Sequence, residues 1–121
     1  MTKRIQQGEG WRLGVNPDAS LYPGLVGTES WSLELTDIEL KDFCRLTLQL
    51  ADTMQAIAAE LMDEERISCE AESENIWLEA EGFPDTYGLR LILLTGRRGE
   101  GEWSASAIPE LLSAIRLIDA F

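Results

Sequence analysis

The chain has no histidine. That removes the commonest general base, the commonest physiological pH switch and the commonest zinc ligand. Serines such as Ser32, Ser104 and Ser106 therefore lack a histidine to activate them. Lysine occurs only at Lys3 and Lys41, and cysteine only at Cys44 and Cys69. Cys44 falls on an expected helix and Cys69 on an expected strand, where both read as small buried apolar residues rather than a redox pair. No apolar run approaches the roughly 20 residues that span a bilayer, so no membrane segment is expected. Met1 to Gln7 carries positive charge without an apolar stretch behind it, which is not a secretion signal. A cytoplasmic location is the expectation. No catalytic residue, metal site or cofactor site emerges, and the chain is expected to be non-enzymatic.

Positive charge as a whole is scarce. Ten lysines and arginines face 22 aspartates and glutamates, for a formal net charge of −12. The imbalance is uneven, with nine acids against five bases before Asp63 and thirteen against five from Asp63 onward. Such a field repels phosphate backbones and anionic membranes and favours solubility. It disfavours a general nucleic-acid binder.

What the chain does have is tryptophan in two matching pairs. Trp11 is followed by Pro17-Asp18, then Trp31-Ser32, then a helix-like run; Trp77 is followed by Pro84-Asp85, then Trp103-Ser104, then a second helix-like run. The repetition implies tandem copies, about 8–62 and 67–121, within a single domain of 121 residues. That length buries a real core. Apolar residues keep phase as well: Leu40, Phe43 and Leu46 stand at the same offsets from Trp31 as Leu112, Ile115 and Ile118 from Trp103.

Residues 1–9 are polar and expected to be mobile. Strands are expected at Trp11–Val15, Gly24–Gly27 and Trp31–Leu35, from alternation and flanking turn residues. The interval from Trp11 to Trp31 is shorter than that from Trp77 to Trp103, so the first copy is expected to have lost a strand. Thr36-Asp37-Ile38-Glu39 reads as a capping box. It opens a helix to about Met62, with Phe43, Leu46, Leu50, Met54, Ile57 and Leu61 on its apolar stripe. At that length the helix would be about 38 Å long. Asp63 to Arg66 reads as a linker. Strands then follow at Ile67–Ser73, Ile76–Glu81, Leu89–Thr95 and Trp103–Ala107, with Gly96 to Gly101 as a hairpin loop. Pro109 suits the first turn of a last helix ending near Phe121. Alternation in the second copy puts Ile67, Cys69, Ala71, Ile76, Leu78 and Ala80 inside. It leaves Glu70, Glu72, Glu79, Glu81 and Trp77 outside.

These elements give an α+β fold in which a unit of three to four strands and a helix occurs twice, with antiparallel sheets packed around two helices. That arrangement resembles the pseudo-dimeric Whirly class of single-stranded-DNA-binding folds. Gly8-Glu9-Gly10-Trp11-Arg12, Glu29-Ser30-Trp31, the helix after Thr36, and Gly101-Glu102-Trp103 with the terminal helix resemble more closely a cyanobacterial and plastid-lineage family, domain of unknown function 1818. The resemblance covers nearly the whole chain and implies a fold and a lineage but no activity. The lysine-rich Lys-Gly-Asn-Ala-Lys strand motif of Whirly proteins has no match here.

Four residues stand out as a possible interaction surface: Arg97, Arg98, Trp77 and Arg90. Arg97 and Arg98 lie between Gly96 and Gly99, where a loop can offer them to a carboxylate or phosphate or simply keep a hairpin tip solvated. Trp77 points toward the glutamate face, and Arg90 partly neutralises it. The other tryptophans read as packing between sheet and helix. Glu70, Glu72, Glu74, Glu79 and Glu81 read as a solvated face rather than a calcium site or an acid/base pair. The expected function is binding of an unknown protein partner through a sheet face or the Arg97-Arg98 loop, as a monomer or homodimer. The alternatives are a single-stranded nucleic-acid or nucleotide binder using the sheet, and a small-molecule binder between sheet and helices.

Overall fold

The computed structural model describes residues 4–60 and 65–119. Four strands come first: β1 (Arg4–Gly8), β2 (Trp11–Val15), β3 (Gly24–Gly27) and β4 (Ser32–Leu35). They form an antiparallel sheet in sequence order. Helix α1 (Asp37–Ala58) follows. The pattern then repeats as β5 (Ile67–Glu72), β6 (Ile76–Phe83), β7 (Thr86–Leu93) and β8 (Glu100–Trp103), a second four-stranded antiparallel sheet. A 3-10 turn at Ala105–Ala107 leads into α2 (Ile108–Asp119). The fold is thus α+β, with two antiparallel sheets, each followed by one helix.

Both copies contain four strands, so the first has lost none. The segment expected to be mobile contains β1, held in register by β2 from Arg4 opposite Val15 to Gly8 opposite Trp11. Its polarity misled because an edge strand buries little of itself. The first copy therefore begins before residue 8, at least at Arg4.

Thr36 caps α1 as its sequence required: its hydroxyl accepts from the Glu39 amide, and the Glu39 carboxylate accepts from the Thr36 amide. The stripe Leu40, Phe43, Leu46, Leu50 and Met54 is buried, and Ile57 is half-buried. The helix ends at Ala58, earlier than expected. Its last turn has no basic residue, and Glu60 just beyond it opposes the negative end of the helix dipole. Leu61, Met62 and half of the expected linker, Asp63 and Glu64, lie outside the described residues, as does Phe121 at the expected end of the last helix.

The last strand also lies earlier than expected, at Glu100–Trp103 rather than Trp103–Ala107, and β7 begins at Thr86 rather than Leu89. Glycine at 99 and 101 makes this stretch look like loop. Packing decides otherwise. The Trp31 indole lies where a side chain at position 101 would stand, with its Cζ2 2.4 Å from an ideal Cβ. Only glycine lets the strand approach the ring so closely.

One core joins the halves. Leu13, Val26 and Leu35 come from the first sheet, Ile76, Leu78 and Leu91 from the second, and Phe43, Met54, Leu111 and Ile115 from the helices, all with no exposed surface. Each such side chain contributes about 1.5–3 kcal/mol by leaving water. The packing is reciprocal. α1 lies more extensively on β5 and β6 than on its own β3 and β4, α2 reaches β2 as well as β7, and the two helices touch. Three tryptophans serve this junction. Trp31 meets Trp103 edge-on at 5.0 Å between centroids, and Trp103 lies 5.5 Å from Phe43. Trp103 Nε1 donates to the Gly27 carbonyl at 2.9 Å, and Trp11 Nε1 donates to Glu110 Oε1 at 2.9 Å.

The tryptophan repeat holds for elements but not for side chains. Trp11 and Trp77 both lie on the second strand of their copy, yet Trp11 faces the core and Trp77 faces out. Trp103 ends β8, whereas Trp31 stands just before β4.

Candidate functional site

The strand register of the second sheet sets the first candidate. Alternation along β5, β6, β7 and β8 sends Glu70, Glu72, Glu79, Glu81, Glu100 and Glu102 to the face away from the helices. Glu74 lies in the β5–β6 turn. Trp77 shares the outer face, opposite Glu72 on one side and Ile92 on the other. Arg90 stands between Glu79 and Glu102, places its guanidinium 5.8 Å from the Trp77 ring, and approaches Glu100 at 3.8 Å. Arg66 pairs with Glu81 and lies 5.3 Å over the Phe83 ring. Glu70 faces Glu79 directly across the strands. Like charges so placed destabilise a sheet. Ser68 Oγ donates to Glu79 at 2.7 Å, which offsets part of that repulsion. Among the described residues, no three acids or cysteines gather closely enough to hold a metal ion.

The Arg97-Arg98 loop puts its two arginines to different uses. Arg97 does meet a carboxylate, but one of its own chain. Its guanidinium pairs with Glu39, donates to the Glu34 carbonyl at 2.5 Å, and lies 4.7 Å over the Tyr22 ring. Glu39 is only 2% exposed, and Thr95 Oγ1 donates to its other oxygen at 3.1 Å. The capping-box glutamate of the first copy thus fixes the β7–β8 loop of the second. Arg98 is exposed, with φ of 56°, a left-handed conformation unusual for a side-chain-bearing residue.

One turn along α1, Asp42 makes a second clamp. It accepts from Ser73 Oγ at 2.6 Å and Asn75 Nδ2 at 3.0 Å, both in the β5–β6 turn, and from Arg45. Burial pushes its carboxyl up, but the hydrogen bonds from Asn75, Ser73 and Arg45 outweigh this and hold it below its ordinary value. Glu110 plays a comparable part in the first turn of α2, where it receives Trp11. A side chain at Gly8 would displace that bond, since an ideal Cβ there lies 2.4 Å from both bonded atoms. Sequence reasoning missed Asp42, Ser73, Asn75, Glu110 and Tyr22 as junction residues. Only Glu39 gave a signal, through its capping-box spacing.

A groove of about 750 Å³ lies between the β6–β7 turn and α2, lined among others by Tyr87, Ile108, Leu112 and Arg116. Burial raises the Tyr87 phenol above its ordinary value; Arg116 opposes this and Asp52 adds to it. The phenol is therefore protonated at neutral pH. No described helix is long and apolar enough to cross a membrane.

Two strand-and-helix copies with exchanged helix packing, locked by carboxylates in the first turns of both helices, define a fused pseudo-dimer. Residues 6–118 match the family described as Domain of unknown function (DUF1818), and the chain belongs to that family. Its fold is similar to a crystal structure from Prochlorococcus sp. NATL2A, described as a protein with unknown function from the DUF155 family. The two share 27% sequence identity over 95% of this chain and 97% of the other, with a TM-score of 0.89. No curated protein matches the chain.

Proposed function

We propose that the chain is a non-enzymatic cytoplasmic module that holds a basic protein partner against the outer face of its second sheet. The observation that carries this is the register itself, which brings the six glutamates onto one face with Arg90 and half-buried Trp77 among them. The Glu70–Glu79 opposition destabilises the isolated sheet and would be relieved by a cation placed between them. Trp77 and Ile92 supply an apolar contact within the charged surround, the composition of an interface centre. The same glutamates weigh against the reading taken from Whirly-like folds, a sheet that binds single-stranded nucleic acid through cations and stacking aromatics.

The test is a fluorescence anisotropy titration at low salt with two probes, a labelled lysine-rich peptide and a labelled single-stranded oligonucleotide. The peptide is expected to bind, and to bind less tightly to the Glu70→Lys/Glu72→Lys variant and to Trp77→Ala. Oligonucleotide binding that weakens steeply with added salt would instead favour the nucleic-acid reading.

A further inference from the structure

β5 is an edge strand, and it differs from the other edges. It is six residues long, against five for β1 and four each for β4 and β8. Sheets usually blunt an exposed edge with lysine, proline, a bulge or a very short strand. Ile67-Ser68-Cys69-Glu70-Ala71-Glu72 contains neither proline nor lysine, and its register with β6 is unbroken. The β4 and β8 edges lie close together: Leu33 on β4 and Trp31 just before it pack over Gly99 and Gly101. Among the described residues, no backbone hydrogen bond reaches the outer edge of β5.

The side chains of this edge are sorted by face. Ser68, Glu70 and Glu72 are exposed on the outer face, while Ile67 and Cys69 on the inner face are only half-buried. The apolar layer is therefore incomplete along this edge, and the acidic layer is open beside it. A fifth strand would complete both if its residues alternated, apolar toward the helices and basic toward the glutamates.

We propose that β5 is extended by a strand from another protein in which lysine or arginine alternates with small apolar residues. This rests on the reading of the acidic face and adds the mode of binding. Backbone hydrogen bonds along β5 hold the added strand, and its cations stand opposite Ser68, Glu70 and Glu72. Over six residues the strand offers about 20 Å of edge, with about half of its amides pointing outward.

Two peptides separate the mode from the charge. One is acetyl-(Lys-Val)3-amide. The other has the same sequence with N-methyl groups on alternate residues, which removes the donors on one edge but keeps every charge. The plain peptide is expected to bind at low salt. The methylated one should bind about tenfold more weakly or worse, as for loss of about two or three backbone hydrogen bonds. Amide exchange in Ser68–Glu72 should slow at alternate positions when the plain peptide binds. Equal binding of the two peptides, or no added protection in β5, would overturn strand addition while leaving the acidic face as a docking surface. No binding of either peptide would remove both. Sedimentation showing that two copies of the chain pair through β5 would also overturn the proposal, since the edge would already be occupied.

Discussion

Arg97 shows how one side chain acquires three tasks. It pairs with a buried carboxylate, donates to the Glu34 carbonyl of β4 and covers Tyr22. Removing it takes the cation from a carboxyl group that is almost wholly buried. Because Arg97 itself is about one-third exposed, the Arg97→Ala variant should lose about 2–3 kcal/mol, somewhat less than a fully buried broken pair. Urea unfolding measures this. Its neighbour should behave in the opposite sense. Arg98 holds a left-handed backbone and its exposed side chain has no polar partner among the described residues, so Arg98→Gly is expected to stabilise the fold by about 1 kcal/mol in the same assay.

At the scale of elements, α1 is the organiser, because successive turns of it grip both loops at one end of the second sheet. The Asp42 clamp makes that grip sensitive to acid. Its folded carboxyl titrates below the ordinary value of 3.8, so its contribution is complete above that value and is lost as pH falls through the folded one. Melting temperature measured from pH 6 down to pH 2.5 should show an acid limb that is shallower in Asp42→Asn. At neutral pH that variant should be about 1–2 kcal/mol less stable. The approach of β8 to Trp31 gives a second test. Gly101→Ala should cost about 1–3 kcal/mol through overpacking and alter the tryptophan fluorescence of the native state.

These elements were largely legible in the sequence where local rules act alone. Apolar periodicity and the capping box located α1, and alternation sorted the glutamates and Trp77 to the outside of the second sheet. Local rules failed where distant residues decide. The glycines at 99 and 101 read as loop because Leu33 and Trp31, the side chains that crowd them, lie far back in the chain. Arg97 read as a loop cation because Glu39 and Tyr22 lie far back in the chain. The acid clamps were invisible for the same reason: Asp42 looks like any exposed helix acid until the β5–β6 turn folds over it.

For the molecule as a whole, the exchange of helices means that neither half completes its core alone. Fragments 1–60 and 65–121 produced separately are each expected to show little cooperative unfolding by circular dichroism, and mixing them should restore a transition. Charge acts at this scale too. With a net charge of −12, self-repulsion opposes compaction, so raising sodium chloride from 20 to about 200 mM should raise the melting temperature.

The fusion of the two copies also changes what the particle can become. A true homodimer shows the same exterior twice, and any change on one side appears on the other. A single chain is free of that constraint. Here one exterior carries the glutamates around Trp77, while its counterpart on the first sheet carries Ile5, Gln7, Arg12 and Leu25 at the corresponding outward positions. The molecule therefore has a front and a back, and a body with two unlike sides can stand between two different neighbours instead of bridging two of the same kind.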